Sequence, residues 1–144
     1  GQLFTVEHGA RGGDEVNMPR AGANYGWPII TYGVDYSGLP IGEGTEREGF
    51  EQPLHYWDPS ISPSGLAFVS GELFPDWEGD LITGGLSGQT MVRIDLEGDE
   101  VVDTEPLFEG QLGRVRDVKI GPDGALYAVI DSGSGEIYRI APAG

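Results

Sequence analysis

The sequence predicts an all-β protein that forms part of a β-propeller, and three observations support this. Short apolar, β-branched and aromatic runs recur along the chain between glycine, proline and aspartate, whereas helical periodicity is hard to find. The 144 residues include 25 glycines and 10 prolines at a hydrophobic fraction of 38%, a profile typical of turn-rich β-structure rather than disorder. A weak internal repeat then favours a propeller over a sandwich or a barrel.

Turn-forming residues separate the candidate strands. The segments 97–99 (Glu-Gly-Asp), 122–124 (Pro-Asp-Gly) and 133–135 (Gly-Ser-Gly) combine glycine with residues that favour tight turns. No gap contains a convincing crossover helix, so a parallel α/β fold is disfavoured. The predicted strands cover residues 2–7, 28–33, 65–70, 79–84, 90–96, 100–108, 114–120, 125–130 and 136–141.

The internal repeat sets the blade count. "GDLIT" within 63–98 and "ALYAV" within 116–140 hold matching positions, and each unit ends in a similar strand, "MVRIDL" and "IYRIAP". Units of roughly 40 to 50 residues with four strands suit propeller blades, so the chain holds about three blades and is an incomplete propeller. We divide the single domain over 1–144 into a first blade (1–33), a long insertion (34–56), a second blade (57–112) and a closing blade (113–144).

The charge balance and the missing motifs exclude several classes of function. With 24 acids against 8 bases and a net charge of -16, the chain should repel nucleic acid and anionic membranes and favour cations. There is no cysteine, no apolar run long enough for a transmembrane helix and no secretory signal. A P-loop, a dinucleotide fingerprint and a nucleophile elbow are also missing. The abrupt start, in which residues 2–6 already read as a strand, suggests that upstream sequence is absent.

Four stretches together resemble one known family, the soluble PQQ-dependent sugar dehydrogenases and their aldose-dehydrogenase relatives. They occur in family order and span nearly the whole chain: "EHGARGGDEVN" (7–17), "GANYGWP" (22–28), "LHYWDPSISPSGLAF" (54–68) and "GRVRDVKIGPDGALY" (113–127). The resemblance implies a six-bladed β-propeller of which this chain is the C-terminal half. It also implies oxidation of a sugar C1 hydroxyl by hydride transfer to PQQ, and a periplasmic or extracellular location.

The resemblance further implies two calcium sites near the start of the chain. Gly9 and Ala10 match two successive carbonyls that hold the calcium bridging to PQQ, and calcium accepts such carbonyls as readily as carboxylates. Glu15 and Tyr25 match ligands of a second, structural calcium, the tyrosine through its carbonyl, and Asp35 falls where another carboxylate ligand would lie. Without the family, the same stretches read as tight turns between strands and as solvated acids.

Arg114 and Arg116 are the strongest candidates for contact with the cofactor. Alternation along a strand places residues i and i+2 on one face, so both guanidinium groups are expected to project together. The resemblance implies that they bind PQQ, a tricarboxylate, because planar guanidinium groups hold carboxylates bidentately. Ser60 matches a hydroxyl residue near the cofactor. The competing interpretation pairs each arginine with a neighbouring acid.

The departures from the family leave two functions open. Ser87 stands where some relatives have a PQQ-contacting lysine, and neither His8 nor His55 matches the catalytic histidine, which in the family lies upstream of Gly1. We therefore expect the chain alone not to oxidise sugar, and to associate with a missing N-terminal propeller half or with a second copy of itself. The alternative is a non-catalytic, calcium-binding half-propeller that acts as a binding or self-assembling module.

Overall fold

A computed structural model describes residues 1–143, and over that range the chain is built from antiparallel β-sheets. Ten strands form three sheets, and the only regular helical element among these residues is a 3-10 turn at Pro75–Trp77. The chain divides into two compact units, Gly1–Ser62 and the described residues from Pro63 onward. No helix among the described residues is long and apolar enough to span a membrane.

The first unit contains one three-stranded sheet in the order β1-β2-β3. Its strands are β1 (Thr5–Glu7), β2 (Asp14–Asn17) and β3 (His55–Trp57). Glu7 lies opposite Glu15 on the β1–β2 ladder, and Asp14 lies opposite Trp57 on the β2–β3 ladder. The central strand β2 is buried along its whole length even though three of its four residues are polar.

The second unit contains the other two sheets. A four-stranded meander joins β4 (Pro63–Phe68), β5 (Leu81–Gly85), β6 (Thr90–Glu97) and β7 (Glu100–Leu107) in sequence order. A three-stranded meander joins β8 (Val115–Ile120), β9 (Leu126–Ile130) and β10 (Glu136–Ile140). Their shared core consists of buried side chains from both sheets and from the residue that follows β4: Val69, Ile82, Met91, Val115, Val118, Leu126, Ala128 and Ile130.

The structure confirms eight of the predicted strands to within a few residues and corrects the ninth. Residues 28–33 form turns rather than a strand, because the Ile29 and Ile30 amides both donate to the carbonyl of Gly26, at 2.7 and 3.1 Å. Two strands, β2 and β3, were not predicted. They are short, and the polar sequence of β2 lacks the apolar alternation by which a strand is recognised.

Candidate functional site

The glycine-rich loop before β2 is fastened at several points along its length. The Arg11 amide and carbonyl both pair with Val34 at 3.0 Å, and the Gly13 amide donates to the Trp57 carbonyl at 2.8 Å. Gly9 packs so closely on the loop that a Cβ atom there would lie 2.0 Å from the Gly12 carbonyl oxygen. Among residues 1–143, the carbonyls of Gly9 and Ala10 accept no hydrogen bond. Neither oxygen is therefore committed to a hydrogen-bond donor among these residues.

Asp14, at the start of β2, connects this loop to the "WDPS" stretch. Its side chain is fully buried and accepts hydrogen bonds from the Gly9 amide at 2.8 Å, the Ser60 hydroxyl at 2.5 Å and the Ser62 amide at 2.7 Å. Ser60, predicted from the sequence as a cofactor contact, therefore donates a hydrogen bond to a buried carboxylate. Asp14 itself was not singled out from the sequence, because an acid beside glycines reads as a solvated turn residue.

A cavity of about 310 Å³ opens beside the glycine-rich loop, and we call it the loop cavity. It collects three of the five predicted metal ligands, Gly9, Glu15 and Tyr25. Ala10 and Asp35 do not line it. The lining residues are Glu7, His8, Gly9, Gly13, Glu15, Asn24, Tyr25, Gly26, Trp27, Ile30 and Thr31.

Two carboxylates and one amide form a polar cluster at the loop cavity. Asn17 donates from Nδ2 to Glu7 Oε1 at 2.5 Å and to Glu15 Oε2 at 3.1 Å. Burial raises the pKa of Glu15, and the nearby charge of Glu7 adds to the shift, whereas the Asn17 hydrogen bond opposes it. The Asn17 side chain is 1% exposed, and its Oδ1 is buried with no hydrogen-bond partner in the described part of the chain. Such an orphaned acceptor is rare in native structures and calls for a missing donor or cation.

Tyr25 and Asp35 occupy different surroundings. The Tyr25 hydroxyl donates to the Met18 carbonyl at 2.7 Å, which anchors the turn that borders the loop cavity. Asp35 is exposed and accepts from the amide and hydroxyl of Ser37 at 2.8 and 2.6 Å, and these bonds lower its pKa. Its role as a metal ligand stays a prediction. No group of three His, Asp or Glu side chains within residues 1–143 is arranged to hold one ion, so a metal site there needs carbonyl or amide oxygens as well.

The two arginines predicted to contact the cofactor differ in their surroundings. Arg114 pairs with Asp131, Nη2 to Oδ2 at 3.0 Å, and both side chains are about half exposed. A bulge between Val115 and Asp117 interrupts the β8–β9 register beside Arg116. Arg114 and Arg116 are nevertheless both exposed, whereas Val115 between them is buried, as alternation along a strand predicts. Arg116 is exposed and forms no ion pair with any residue in 1–143.

The two histidines lie in different surroundings. His8 borders the loop cavity, whereas His55 packs edge-on against Trp57 with ring centroids 4.8 Å apart. Burial lowers the pKa of His55, and its Nε2 finds no hydrogen-bond partner in the part of the chain that the structure describes. Ser87 is exposed in the turn between β5 and β6.

Three antiparallel, blade-like sheets of three or four strands define part of a β-propeller protein. The chain belongs to the Glucose / Sorbosone dehydrogenase family, whose model matches residues 1–139. This confirms both the partial β-propeller fold and the family resemblance drawn from the four sequence stretches.

Individual relatives agree with this family assignment. The chain is 42% identical over 142 residues to the aldose sugar dehydrogenase YliI of Escherichia coli K12, covering 97% of this chain and 38% of that protein. A glucose dehydrogenase crystal structure matches with a TM-score of 0.96 and 46% identity over 99% of this chain and 42% of its own. The PQQ-bound aldose sugar dehydrogenase of Streptomyces coelicolor matches with a TM-score of 0.70 and 30% identity over 97% of this chain and 39% of its own. The chain thus spans about two fifths of the length of these relatives.

Proposed function

We propose that this chain is the calcium- and PQQ-binding part of an aldose sugar dehydrogenase. The observation that carries the proposal is its membership of a sugar dehydrogenase family together with its similarity to a relative solved with PQQ bound. When bound, PQQ supplies the oxidant, accepting the hydride from C1 of the sugar. The residues of this chain bind and orient PQQ and its calcium ion. The base that takes the C1 hydroxyl proton is not among them, so the chain alone is inactive.

Two groups of oxygen atoms fit calcium, which prefers six to eight oxygen ligands. The carbonyls of Gly9 and Ala10, which accept no hydrogen bond within residues 1–143, suit the ion that accompanies PQQ. The carboxylate of Glu15 and the carbonyl of Tyr25 suit a structural ion at the loop cavity. The orphaned Oδ1 of Asn17, which does not line this cavity, is a further buried acceptor for a cation. The net charge of -16 favours cations at both places. Asp35 remains a proposed ligand whose carboxylate would first have to release Ser37.

Arg114 and Arg116 are proposed to bind the PQQ carboxylates, and the ion pair to Asp131 makes their contributions unequal. In a titration followed by PQQ absorbance in the presence of calcium, we expect a saturable spectral shift with the wild-type chain. Arg116→Ala should weaken binding by about 10- to 100-fold, as expected for the loss of a charge-assisted bond. Arg114→Ala should weaken it less, because part of its interaction with PQQ is offset by loss of the Asp131 contact.

Arg139→Ala provides the matched control, because Arg139 is a similarly exposed arginine paired with Asp123. It should leave the PQQ titration unchanged. Wild-type affinity in both the Arg114→Ala and the Arg116→Ala variants would contradict the assignment of these arginines to the cofactor.

A non-catalytic, calcium-binding module is the second candidate function. The contact between Arg114 and Asp131 favours it, because an arginine held by an acid is less available to a cofactor, and Ser87 removes a lysine that some relatives use. The PQQ titration distinguishes the two proposals: a module that has lost the cofactor would bind calcium and give no PQQ shift. For either function we propose a periplasmic or extracellular location.

We also expect the purified chain to associate, either with the remaining propeller half or with a second copy. Exposed apolar side chains support this, among them Leu39 at 66% and Ile137 at 72% exposed, the latter on the edge strand β10. Because the net charge of -16 makes copies repel each other, self-association should strengthen when salt screens that charge. Sedimentation velocity at rising protein and salt concentrations measures it, and a monomer under all conditions would contradict self-association.

A further inference from the structure

Asp14 has an unusual environment for a carboxylate. It is fully buried and forms no ion pair with any residue in 1–143, so hydrogen bonds alone compensate for its burial. One oxygen, Oδ1, accepts from the Gly9 amide at 2.8 Å. The other, Oδ2, accepts from the Ser60 hydroxyl at 2.5 Å and the Ser62 amide at 2.7 Å.

These three bonds connect two loops that are far apart in sequence. Gly9 lies 5 residues before Asp14, whereas Ser60 and Ser62 lie 46 and 48 residues after it. Asp14 holds the backbone N–H of Gly9, and the carbonyl of this same residue is a proposed calcium ligand. Because that amide is fixed and the loop is too tight for a Cβ atom at Gly9, the backbone that carries the following carbonyls has little freedom to rotate.

We propose that Asp14 is a positioning residue that holds the carbonyls of Gly9 and Ala10 in place for calcium. This inference rests on the proposed function, because it assigns the ion to these two carbonyls. The proposal assigns Asp14 no contact with the ion, because its two oxygens are directed at the Gly9 amide, the Ser60 hydroxyl and the Ser62 amide. It acts through the Gly9 amide.

The substitution Asp14→Asn tests this selectively. Asparagine keeps the shape of aspartate but has one acceptor oxygen and one NH2 donor group. The orientation that keeps two of the three bonds directs the oxygen at Ser60 and Ser62, and it places the NH2 group against the Gly9 N–H. The variant should therefore release Gly9 while leaving the other loop attached.

Two measurements on the full chain detect the loss of the hydrogen bond from the Gly9 amide. Hydrogen exchange of the Gly9 amide, measured by NMR without calcium, should accelerate at least about tenfold in Asp14→Asn, since the bond is lost. The calcium concentration that half-saturates the PQQ absorbance shift should rise about tenfold or more. The matched control is Asp80→Asn, because Asp80 is another buried acid with several partners, and it belongs to the second unit. It should lower stability but leave both readouts unchanged.

The outcomes separate this inference from the function on which it rests. Wild-type values of both readouts in Asp14→Asn would overturn the inference alone. A wild-type chain that gives no calcium-dependent PQQ shift would overturn the proposed function and the inference with it. If Asp14→Asn does not fold, Ser60→Ala serves instead, because losing one of the three donors loosens the Asp14 side chain and should speed Gly9 exchange severalfold. Only the exchange rate is read in this variant, since Ser60 is itself a predicted cofactor contact, and unchanged Gly9 exchange would overturn the inference.

Discussion

Replacing Gly9 with alanine is expected to abolish the calcium-dependent PQQ response and to destabilise the first unit. The new Cβ atom would lie 2.0 Å from the Gly12 carbonyl oxygen and 2.7 Å from two backbone atoms of Gly13, closer than any Cβ contact can be. These neighbours are backbone atoms of the same tight loop, so the loop itself has to open. Overpacking typically costs about 1–3 kcal/mol, and the opened loop would no longer present its carbonyls together.

Gly133→Ala is the control for Gly9→Ala. Both positions have ordinary φ angles, but nothing lies within 4 Å of a Cβ atom built at Gly133. The control should unfold at the wild-type denaturant concentration and keep the PQQ titration curve, both measured under the same conditions. A Gly9→Ala chain that keeps the wild-type calcium response would show that this loop does not hold the ion.

The second large effect is expected in the other unit, from Arg93→Met. Arg93 is 16% exposed and pairs with the nearly buried Asp80 at 2.7 Å and with Glu105 at 3.1 Å, and its guanidinium lies over the Trp77 ring. Removing it leaves Asp80 buried without its cation, and breaking such a pair costs about 3–5 kcal/mol. Denaturant unfolding should therefore show a free energy of unfolding lower by about 3 kcal/mol. We expect the lower limit because the second partner, Glu105, is half exposed and water can solvate its charge.

A double-mutant cycle with Asp80→Asn identifies the source of that loss. If the unpaired Asp80 charge causes it, Arg93→Met should cost much less in the Asp80→Asn background. Arg139→Met is the matched surface variant, since its pair with Asp123 is about half exposed and should contribute at most about 1 kcal/mol. Equal losses from Arg93→Met and Arg139→Met would contradict a special role for the buried pair.

Most of the fold was predictable because the second unit follows simple rules. Its strands are short apolar runs, and β9 alternates in the expected way, with Leu126, Ala128 and Ile130 facing the core. Glycine-containing turns separate those strands. The first unit was harder, since β2 is polar and yet fully buried, and the apolar residues at 28–33 form turns. There, hydrogen bonds with residues far along the chain replace the local pattern.

The residues of the candidate site were likewise only partly predictable from the sequence. The sequence marked Gly9, Glu15 and Tyr25, and the structure places all three around one cavity. It gave no sign of Asp14 or Asn17, whose importance lies in three hydrogen bonds at a buried carboxylate and in one orphaned amide oxygen. Neither feature has a local signature, because the partners of Asp14 come from both sides of it along the chain.

By itself, the amino-acid order determined the all-β class, the order of the second unit's strands and the family, since each depends on local periodicity, turn chemistry and motifs in a fixed sequence. Only the tertiary structure decided that Asp14 fastens the glycine-rich loop, that Arg114 meets Asp131 and that a bulge lies beside Arg116. These depend on distances between residues on different strands and loops, which folding creates and no short stretch of chain encodes.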